Sequence, residues 1–332
     1  MKRLIHGLAM GVAATLAMAG AVAGDGHARV VIPFDMEAGE VAEGVAVDQE
    51  GNVFTGVSSE GRFLMLPQGA EEAESVFVLP GLQEGDFGLT GMALNGDRDQ
   101  YMHMLWGAVV SADPALNGVI ALDPFGRSDP DNMWWHIPGT ETMGMANGIA
   151  FDESGDHMYV SDSAMGAIWH LPLFGFVGYA EPEVWVAHPL LEGTGEMPLP
   201  FPVGANGVAV RDDVVYVGVT EQGIVVGIPI ESGGAAGEPF VYAELPGVAV
   251  DGIAFGPDGE LYVADPPAHA LWRVTPDGTM SAVADVEDGL SGPSSVALWD
   301  GPEGQVAYVS NQAIGMPGTI KHGPSIIEVT LD

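Results

Sequence analysis

The pattern of apolar and polar residues along the chain repeats. A short phrase, in which a polar residue and Gly precede three small or apolar residues, occurs six times, with Ser in place of Gly in the last copy. The copies start 43 to 59 residues apart, and self-similarity at such a period is typical of repeat architectures. The six copies occupy residues 43–47, 90–94, 147–151, 206–210, 251–255 and 294–298.

Each copy is followed by further short β-type runs that Gly, Pro and Asp residues separate. This pattern predicts a four-stranded antiparallel meander in every repeat. In the three clearest repeats the predicted strands are 43–47, 52–57, 62–66 and 75–79; 147–151, 158–161, 167–171 and 183–187; and 251–255, 261–265, 270–274 and 280–286.

A single four-stranded sheet cannot bury both of its faces, whereas six sheets stacked around an axis can. The sequence therefore predicts an all-β fold, a six-bladed β-propeller with four antiparallel strands per blade. The small apolar phrase suits the innermost strand, and we expect residues 28–34 to form the outermost strand of the last blade and so close the ring. A β-sandwich or two smaller β domains is the alternative, which the sixfold recurrence disfavours.

The second repeat contains adjacent tryptophans, Trp134 and Trp135, within a predicted outer strand at 133–138. Neighbouring residues of a strand point to opposite faces of the sheet. We therefore expect one of the two indole rings to pack between blades.

The chain begins with Lys2 and Arg3, an apolar stretch at 4–19 and a small-residue cleavage site at 21–23. These features predict a signal peptide over residues 1–23 and one propeller domain over residues 24–332, in a periplasmic or secreted protein. An uncleaved membrane anchor is the alternative. No second long apolar run follows, so we expect no membrane insertion after cleavage.

Two features of the composition limit the expected binding partners and the sources of stability. The formal net charge of −37 disfavours nucleic acid and anionic membrane surfaces, and is typical of solubility in a salty medium. The chain has no Cys, so stability must come from packing, with a bound metal as a further source. The negative electrostatic potential of such a chain also favours the binding of a cation where carboxylates meet at a single site.

Equivalent positions of a propeller meet at its axis, so the first residues of the six phrases should form a ring at one mouth of the channel. All six carry side-chain oxygen: Glu43, Thr90, Asn147, Asn206, Asp251 and Ser294. Oxygen ligands with two negative charges suit a hard cation such as Ca²⁺, whereas Zn²⁺ prefers His or Cys. Turn formation by Asn or Asp before Gly is the alternative explanation of these residues.

The six phrases, above all Ala-Asn-Gly-Val-Ala at 205–209 and Val-Asp-Gly-Ile-Ala at 250–254, resemble the SMP-30/gluconolactonase/LRE-like family of calcium-dependent six-bladed propeller hydrolases. Paraoxonase and diisopropylfluorophosphatase are related to this family. The resemblance covers nearly the whole mature chain. It implies a lactonase or esterase in which Glu43, Asn147, Asn206 and Asp251 hold a catalytic Ca²⁺, with another divalent cation as the alternative.

The resemblance also implies roles for individual residues. Asp251 first, and Glu43 second, would act as base or nucleophile on the substrate, while the two asparagines would be neutral ligands. Gluconolactonases that act on sugar acids often carry an Arg just before the ligand of blade 3, and residues 142–146 contain none. This departure leaves the natural substrate open.

Two long inserts, at 140–146 and 189–205, lead directly to Asn147 and Asn206, so we expect them to cover the same mouth. They carry the apolar residues Met143, Met145, Met197, Leu199 and Phe201. A less polar lactone or ester is therefore favoured over an aldonolactone. The residues predicted to line the substrate are Thr90, Ser294, Met145, Met197 and Phe201, although Thr90 and Ser294 suit a purely channel-lining role better.

The sequence predicts an exported calcium-dependent hydrolase of lactones or related esters, acting on a small molecule. Two alternatives stay open. One is a phosphotriesterase-type hydrolase at the same site, and the other is a periplasmic propeller that binds a ligand or protein without chemistry.

Overall fold

Six antiparallel sheets surround a common axis in the computed structural model, which describes residues 27–95, 104–125, 134–174, 178–313 and 322–331. Each sheet is one blade, and the chain runs from the innermost strand outwards within it. The signal peptide predicted at 1–23 lies outside the described residues. Within them, no helix is both long and apolar enough to cross a lipid bilayer.

The described residues contain twenty-five strands, and the helical structure among them consists of three short 3₁₀ turns at Ser58–Glu60, Thr140–Thr142 and Pro189–Leu191. The strands are β1 (Ala28–Pro33); in blade 1, β2 (Val45–Val47), β3 (Val53–Val57), β4 (Arg62–Leu66) and β5 (Glu74–Val78); in blade 2, β6 (Gly88–Leu94), β7 (Leu105–Val110), β8 (Gly118–Leu122) and β9 (Trp134–His136); in blade 3, β10 (Ala146–Phe151), β11 (His157–Asp162), β12 (Ala167–Phe174), β13 (Gly178–Tyr179) and β14 (Glu183–Ala187); in blade 4, β15 (Ala205–Arg211), β16 (Val214–Val219), β17 (Ile224–Pro229) and β18 (Phe240–Glu244); in blade 5, β19 (Ile253–Phe255), β20 (Leu261–Asp265), β21 (Ala270–Val274) and β22 (Met280–Ala284); and in blade 6, β23 (Pro293–Gly301), β24 (Gly304–Asn311) and β25 (Ser325–Thr330).

The first strand closes the ring, as the sequence predicts. β1 runs antiparallel to β25, with Ala28 opposite Val329 and Pro33 opposite Ser325, so the fourth strand of blade 6 comes from the start of the chain. Blade 3 has one addition to the predicted plan. There the two-residue strand β13 and the regular outer strand β14 both pair with β12.

The first two residues of the repeated phrase lie outside the regular ladder. In blades 1 and 5 the inner strand begins only at Val45 and Ile253, after the polar residue and Gly of the phrase. In the other four blades the register between the first two strands shifts at the phrase. Such irregularities re-aim a side chain, and here each affects the residue predicted to face the axis.

The glycine of the phrase is required by the close approach of neighbouring blades. A Cβ atom built on Gly44, Gly91, Gly148 or Gly207 would lie 2.3 to 2.5 Å from the carbonyl oxygen of the polar phrase residue in the next blade. No side chain fits at that distance. The Gly that recurs in the sequence therefore sets how tightly the inner strands can crowd the axis.

Each pair of neighbouring blades encloses its own hydrophobic core. Phe54 and Phe63 pack against Leu105 between blades 1 and 2, for example, and five similar clusters fill the other junctions. The adjacent tryptophans confirm the prediction of opposite faces. Trp134 packs on the core between blades 1 and 2, and Trp135 packs on the core between blades 2 and 3.

Candidate functional site

A small cavity of roughly 70 Å³ lies at the axis, where the six inner strands begin. Its walls include five of the six ring positions that the sequence singled out: Glu43, Asn147, Asn206, Asp251 and Ser294. The structure therefore brings together the four residues proposed as metal ligands. Thr90, Met145, Met197 and Phe201, which the sequence also placed next to the substrate, are not among the residues that line this cavity.

The cavity also has an apolar part that the sequence reasoning missed. It is formed by the third residue of every phrase: Val45, Met92, Ile149, Val208, Ile253 and Val296. The signal was present in the same six phrases, because the third residue is apolar in all of them. A ring of oxygen-bearing side chains thus adjoins a ring of aliphatic ones.

The amide of Asn147 is oriented by a hydroxyl behind it. Its Nδ2 atom lies 3.3 Å from Oγ of Ser163, and that hydroxyl donates its own hydrogen to the carbonyl of Ala205 at 2.7 Å. Because a hydroxyl has one hydrogen, Ser163 can only accept from the asparagine. The Nδ2 side of Asn147 is therefore fixed toward Ser163, and Oδ1 is the amide atom left to face the cavity.

Asn206 is held by the same device one blade further on. Its Nδ2 atom donates to Oγ1 of Thr220 at 3.0 Å, and Thr220 donates to the carbonyl of Val250 at 2.9 Å. This assignment again leaves Oδ1 for the cavity. Ser163 and Thr220, which follow the second strands of their blades, were not identified from the sequence.

Glu43 is buried, with 7% of its surface exposed, and its Oε2 atom has no hydrogen-bond partner among the described residues. Burial raises the pKa of Glu43 well above its usual value, and the nearby carboxyl group of Asp251 raises it further. A buried carboxylate oxygen without a partner is costly, so this position favours a proton or a cation.

Asp251 is only partly buried and opens onto the cavity. Desolvation raises the pKa of Asp251 to about 8, a hydrogen bond from the Asn206 side chain lowers it, and the carboxyl group of Asp265 raises it. The side-chain amide of Asn206 is thus hydrogen-bonded both to Thr220 and to Asp251, one of the two carboxyl groups at the axis.

The donor set fits a cation that prefers oxygen. Two carboxyl groups and two amide oxygens meet in one cavity, and neither Lys nor Arg lines it. Within the described residues, no three His, Cys, Asp or Glu side chains are grouped so that they could hold a metal ion. Cation binding at the axis would therefore depend on the amides as well as the acids, which suits Ca²⁺ and does not suit Zn²⁺.

The hydroxyls of Thr90 and Ser294 link neighbouring blades. Thr90 donates to the carbonyl of Ala146 at 2.8 Å, and Ser294 donates to the carbonyl of Glu43 at 2.9 Å. Both side chains are buried. Their hydroxyl hydrogens are thus used in hydrogen bonds between blades, which argues against donation to a substrate. Ser294 lines the axial cavity, whereas Thr90 is fully buried outside it.

The residues on the two inserts divide into two groups. Met143 and Met145 are buried, and Met143 is part of the core between blades 2 and 3. Met197 is partly exposed, while Leu199 and Phe201 are exposed at the tip of the longer insert. Only the longer insert therefore presents apolar side chains to solvent.

Two buried aspartates fasten the segments that lead to the ring. Asp162 accepts hydrogen bonds from the backbone N–H groups of Gly144 and Met145 at 2.7 and 3.0 Å. Asp265 accepts one from Ala249 at 3.3 Å and one from the indole of Trp272 at 3.0 Å. Both residues end the second strand of their blade, and the sequence reasoning missed both.

No family model and no curated protein matches the sequence. Among solved structures, the chain is similar to a gluconolactonase from Xanthomonas campestris, with a TM-score of 0.64, 12% identity and coverage of 92% of this chain and 89% of that chain. It is also similar to regucalcin, a calcium-binding protein from Agrobacterium tumefaciens, with a TM-score of 0.57, 16% identity and coverage of 87% and 89%.

A PQQ-bound aldose sugar dehydrogenase from Streptomyces coelicolor matches at a similar level, with a TM-score of 0.57, 16% identity and coverage of 92% and 97%. Identities this low show the shared propeller fold. Since the same fold carries a lactonase, a calcium-binding protein and a dehydrogenase, the choice between chemistries depends on the residues of the site.

Proposed function

We propose that the protein is a calcium-dependent hydrolase of lactones or related esters, with its active site in the axial cavity. The observation that carries the proposal is the buried Oε2 atom of Glu43, which has no hydrogen-bond partner among the described residues and shares its cavity with a second carboxyl group, that of Asp251. Two carboxyl groups in a cavity whose described lining contains neither Lys nor Arg suit a divalent cation. The likeness in fold to a gluconolactonase and to a calcium-binding regucalcin supports the same function.

Four residues would hold the cation: Glu43 and Asp251 through carboxylates, and Asn147 and Asn206 through amide oxygens. When bound, Ca²⁺ would polarise the carbonyl of the substrate and stabilise the negative charge that develops on its oxygen. The hydrogen bonds from the asparagines to Ser163 and Thr220 keep the amide oxygens directed at the cavity in advance. Such preorganisation avoids rearrangement during the reaction.

Asp251 is the proposed general base. Both carboxyl groups line the cavity, but Asp251 is the more exposed of the two, so a water molecule next to the substrate would reach it more readily. It would take a proton from this water as the water oxygen bonds to the acyl carbon. It would return the proton to the leaving alcohol oxygen as the C–O bond breaks, and a lactone would thereby yield one hydroxy acid.

The enzyme would act after its export from the cytoplasm. The charged start, apolar stretch and small-residue cleavage site at 1–23 support secretion or a periplasmic location. Mass spectrometry of the protein from its native host should show a chain that begins after Ala23. A chain that retains Met1 would contradict this part of the proposal.

The function is tested by turnover of lactones, aryl esters and phosphotriesters in the presence of calcium and of a chelator. We expect lactone or ester hydrolysis that the chelator abolishes and that calcium restores. Turnover confined to phosphotriesters would favour the alternative hydrolase at the same site. Calcium binding without turnover of any of these substrates would favour a propeller that only binds.

A further inference from the structure

The exposed large apolar side chains of the described residues fall into two groups. One group lies on the outer strands β5, β14, β18 and β22, with Phe125 in the turn after β8. The other lies on loops at the end of the blades where the inner strands begin, which is the end that carries the axial cavity. We name this second group the apolar rim: Met36, Phe87, Met165, Leu199 and Phe201.

The largest part of the apolar rim is the tip of one loop, residues 192–204, which we name the blade-4 loop. Its base is firmly held. The Glu221 carboxylate accepts hydrogen bonds from the backbone N–H of Gly195 and from the hydroxyl of Thr194. Gln222 donates to the carbonyls of Pro189 at 3.0 Å and Glu192 at 2.7 Å.

The turn that holds the blade-4 loop also holds the site. Thr220 orients Asn206, and the next two residues, Glu221 and Gln222, bind the loop. Three consecutive residues therefore connect a proposed ligand amide to the exposed Leu199 and Phe201. This connection fixes the loop relative to the cavity, whereas an unattached surface insert would have no such link.

The charge of the chain disfavours one class of substrate, namely anions. The described residues of the loops at this end contain neither Lys nor Arg. Arg62, at the start of β4, is already paired with Glu40 and Glu60. Among the described residues of these loops an anionic substrate would find neither Lys nor Arg, and the net charge of −37 would repel it.

We propose that the substrate is an uncharged lactone or ester with an alkyl or aryl substituent, and that this substituent lies on Leu199 and Phe201 of the blade-4 loop. The inference rests on the proposed hydrolase function of the axial cavity. The polar carbonyl end would enter the small cavity, and the apolar substituent would remain at the mouth, where the apolar rim can bury it. Glu221 is a positioning residue for the loop.

The first test compares γ-lactones that share one ring and differ in the substituent. Wild-type protein should have a kcat/KM for the heptyl-substituted lactone at least about tenfold higher than for the unsubstituted lactone. A higher kcat/KM for a polyhydroxylated aldonolactone than for the heptyl lactone would overturn the inference.

The second test uses matched variants of blade 4. Phe201→Ser and Leu199→Ser should lower the preference for the heptyl lactone several-fold. Phe240→Ser is the control, because Phe240 is 41% exposed, against 40% for Phe201, but lies on the outer strand β18. The preference should survive in the control. An undiminished preference in both loop variants would overturn the inference.

The third test concerns Glu221. Glu221→Ala removes the acceptor for Gly195 and Thr194, so KM for the heptyl lactone should rise several-fold with a much smaller change in kcat. Glu221→Gln keeps an acceptor oxygen and should restore most of the affinity. If the changes only damaged the fold, Glu221→Ala and Glu221→Gln would both lower kcat and kcat/KM, and they would do so equally for the heptyl-substituted and the unsubstituted lactone. This result would contradict the positioning role.

A binding measurement separates this inference from the proposed function. Calorimetry with a heptyl-substituted γ-lactam and with the unsubstituted lactam, neither of which the protein needs to hydrolyse, should show tighter binding of the heptyl compound and a loss of that difference in Phe201→Ser. This result without turnover of any lactone would refute the hydrolase and support recognition of apolar ligands. If Phe201→Ser instead reduces cosedimentation with zwitterionic phosphatidylcholine vesicles and leaves lactam binding unchanged, the apolar rim is a membrane surface and the inference is wrong.

Discussion

The axial cavity and a second, larger cavity differ in how their polar groups are satisfied. The second cavity, which we name the seam groove, has a volume of roughly 620 Å³ and lies between blades 6 and 1, where the chain closes the ring. The axial cavity has a volume of only about 70 Å³. By size alone the seam groove would be the default binding site.

Several polar groups that line the seam groove have partners within the fold. Arg29 donates to both carboxylate oxygens of Glu328 at 2.7 and 2.8 Å, and the indole of Trp299 donates to the carbonyl of Gln49 at 3.1 Å. In the axial cavity, by contrast, an oxygen of Glu43 is buried without a partner among the described residues. A buried carboxylate oxygen without a partner is costly, and none of the described side-chain atoms that line the seam groove is buried without one, so this feature distinguishes the axial cavity from the larger groove.

The largest effect should come from Asp251→Asn. This change keeps the size and an oxygen ligand but removes the basicity, so kcat should fall by a factor on the order of a hundred or more while part of the calcium affinity survives. Steady-state kinetics at saturating calcium measure this effect. Glu303→Gln, at the edge of the seam groove, is the control and should leave the kinetics unchanged. Full activity in Asp251→Asn would refute the mechanism.

Glu43→Gln should lower the affinity for calcium much more than it lowers kcat at saturating calcium. Glu43 is more buried than Asp251, so we expect its charge to serve mainly to hold the ion. A calcium titration of activity should show that high calcium restores most of the lost rate. If losses in Glu43→Gln and Asp251→Asn were equal and fully restored by calcium, Asp251 would be only a ligand.

Thr220→Val should weaken calcium binding by about tenfold, because the amide of Asn206 loses the hydroxyl that orients it. Thr220→Ser keeps the hydroxyl and should bind calcium nearly as well as the wild type. Calorimetry on both variants measures the difference. Equal affinities in the two variants would show that the orientation of Asn206 does not matter for the ion.

Calcium should stabilise the protein more at higher pH. The pKa values of Glu43 and Asp251 are raised in the metal-free fold, so the stability they contribute is present below the unfolded pKa and is lost as pH rises toward about 8, the pKa of Asp251. Calcium binds the ionised forms and removes this penalty. Scanning calorimetry should therefore show a larger calcium-dependent rise in Tm at about pH 8 than at about pH 5.5. A rise independent of pH would contradict this account.

The sequence alone was sufficient for the blade plan, because each blade repeats one phrase, and the Gly present in five of its six copies is required by the close approach of the next blade. Strands such as Leu261–Asp265 and Ala270–Val274 were predicted to the residue. The ring positions also followed from the repeat, since equivalent residues must meet at the axis. In blades 1 and 5 the predicted inner strands were two residues too long, because Glu43 and Asp251 precede the ladder.

Contacts between distant segments could not be predicted in the same way. The roles of Ser163 and Thr220 depend on carbonyl groups 42 and 30 residues away, in the next blade. The insert at 140–146 was expected to cover the mouth, but Met143 is buried in the core between blades 2 and 3 because Asp162 binds the adjacent backbone. Composition alone did not distinguish this buried loop from the exposed blade-4 loop.

The most direct measurement is the stoichiometry and affinity of calcium binding, by calorimetry in about 0.5 M KCl, which screens weak binding to the acidic surface. The account predicts one tight site per chain in the wild type. That site should be lost in the double variant Glu43→Gln/Asp251→Asn and kept in the matched seam-groove double variant Glu71→Gln/Glu303→Gln. The absence of a tight site in the wild type, or its survival in the axial double variant, would contradict the account.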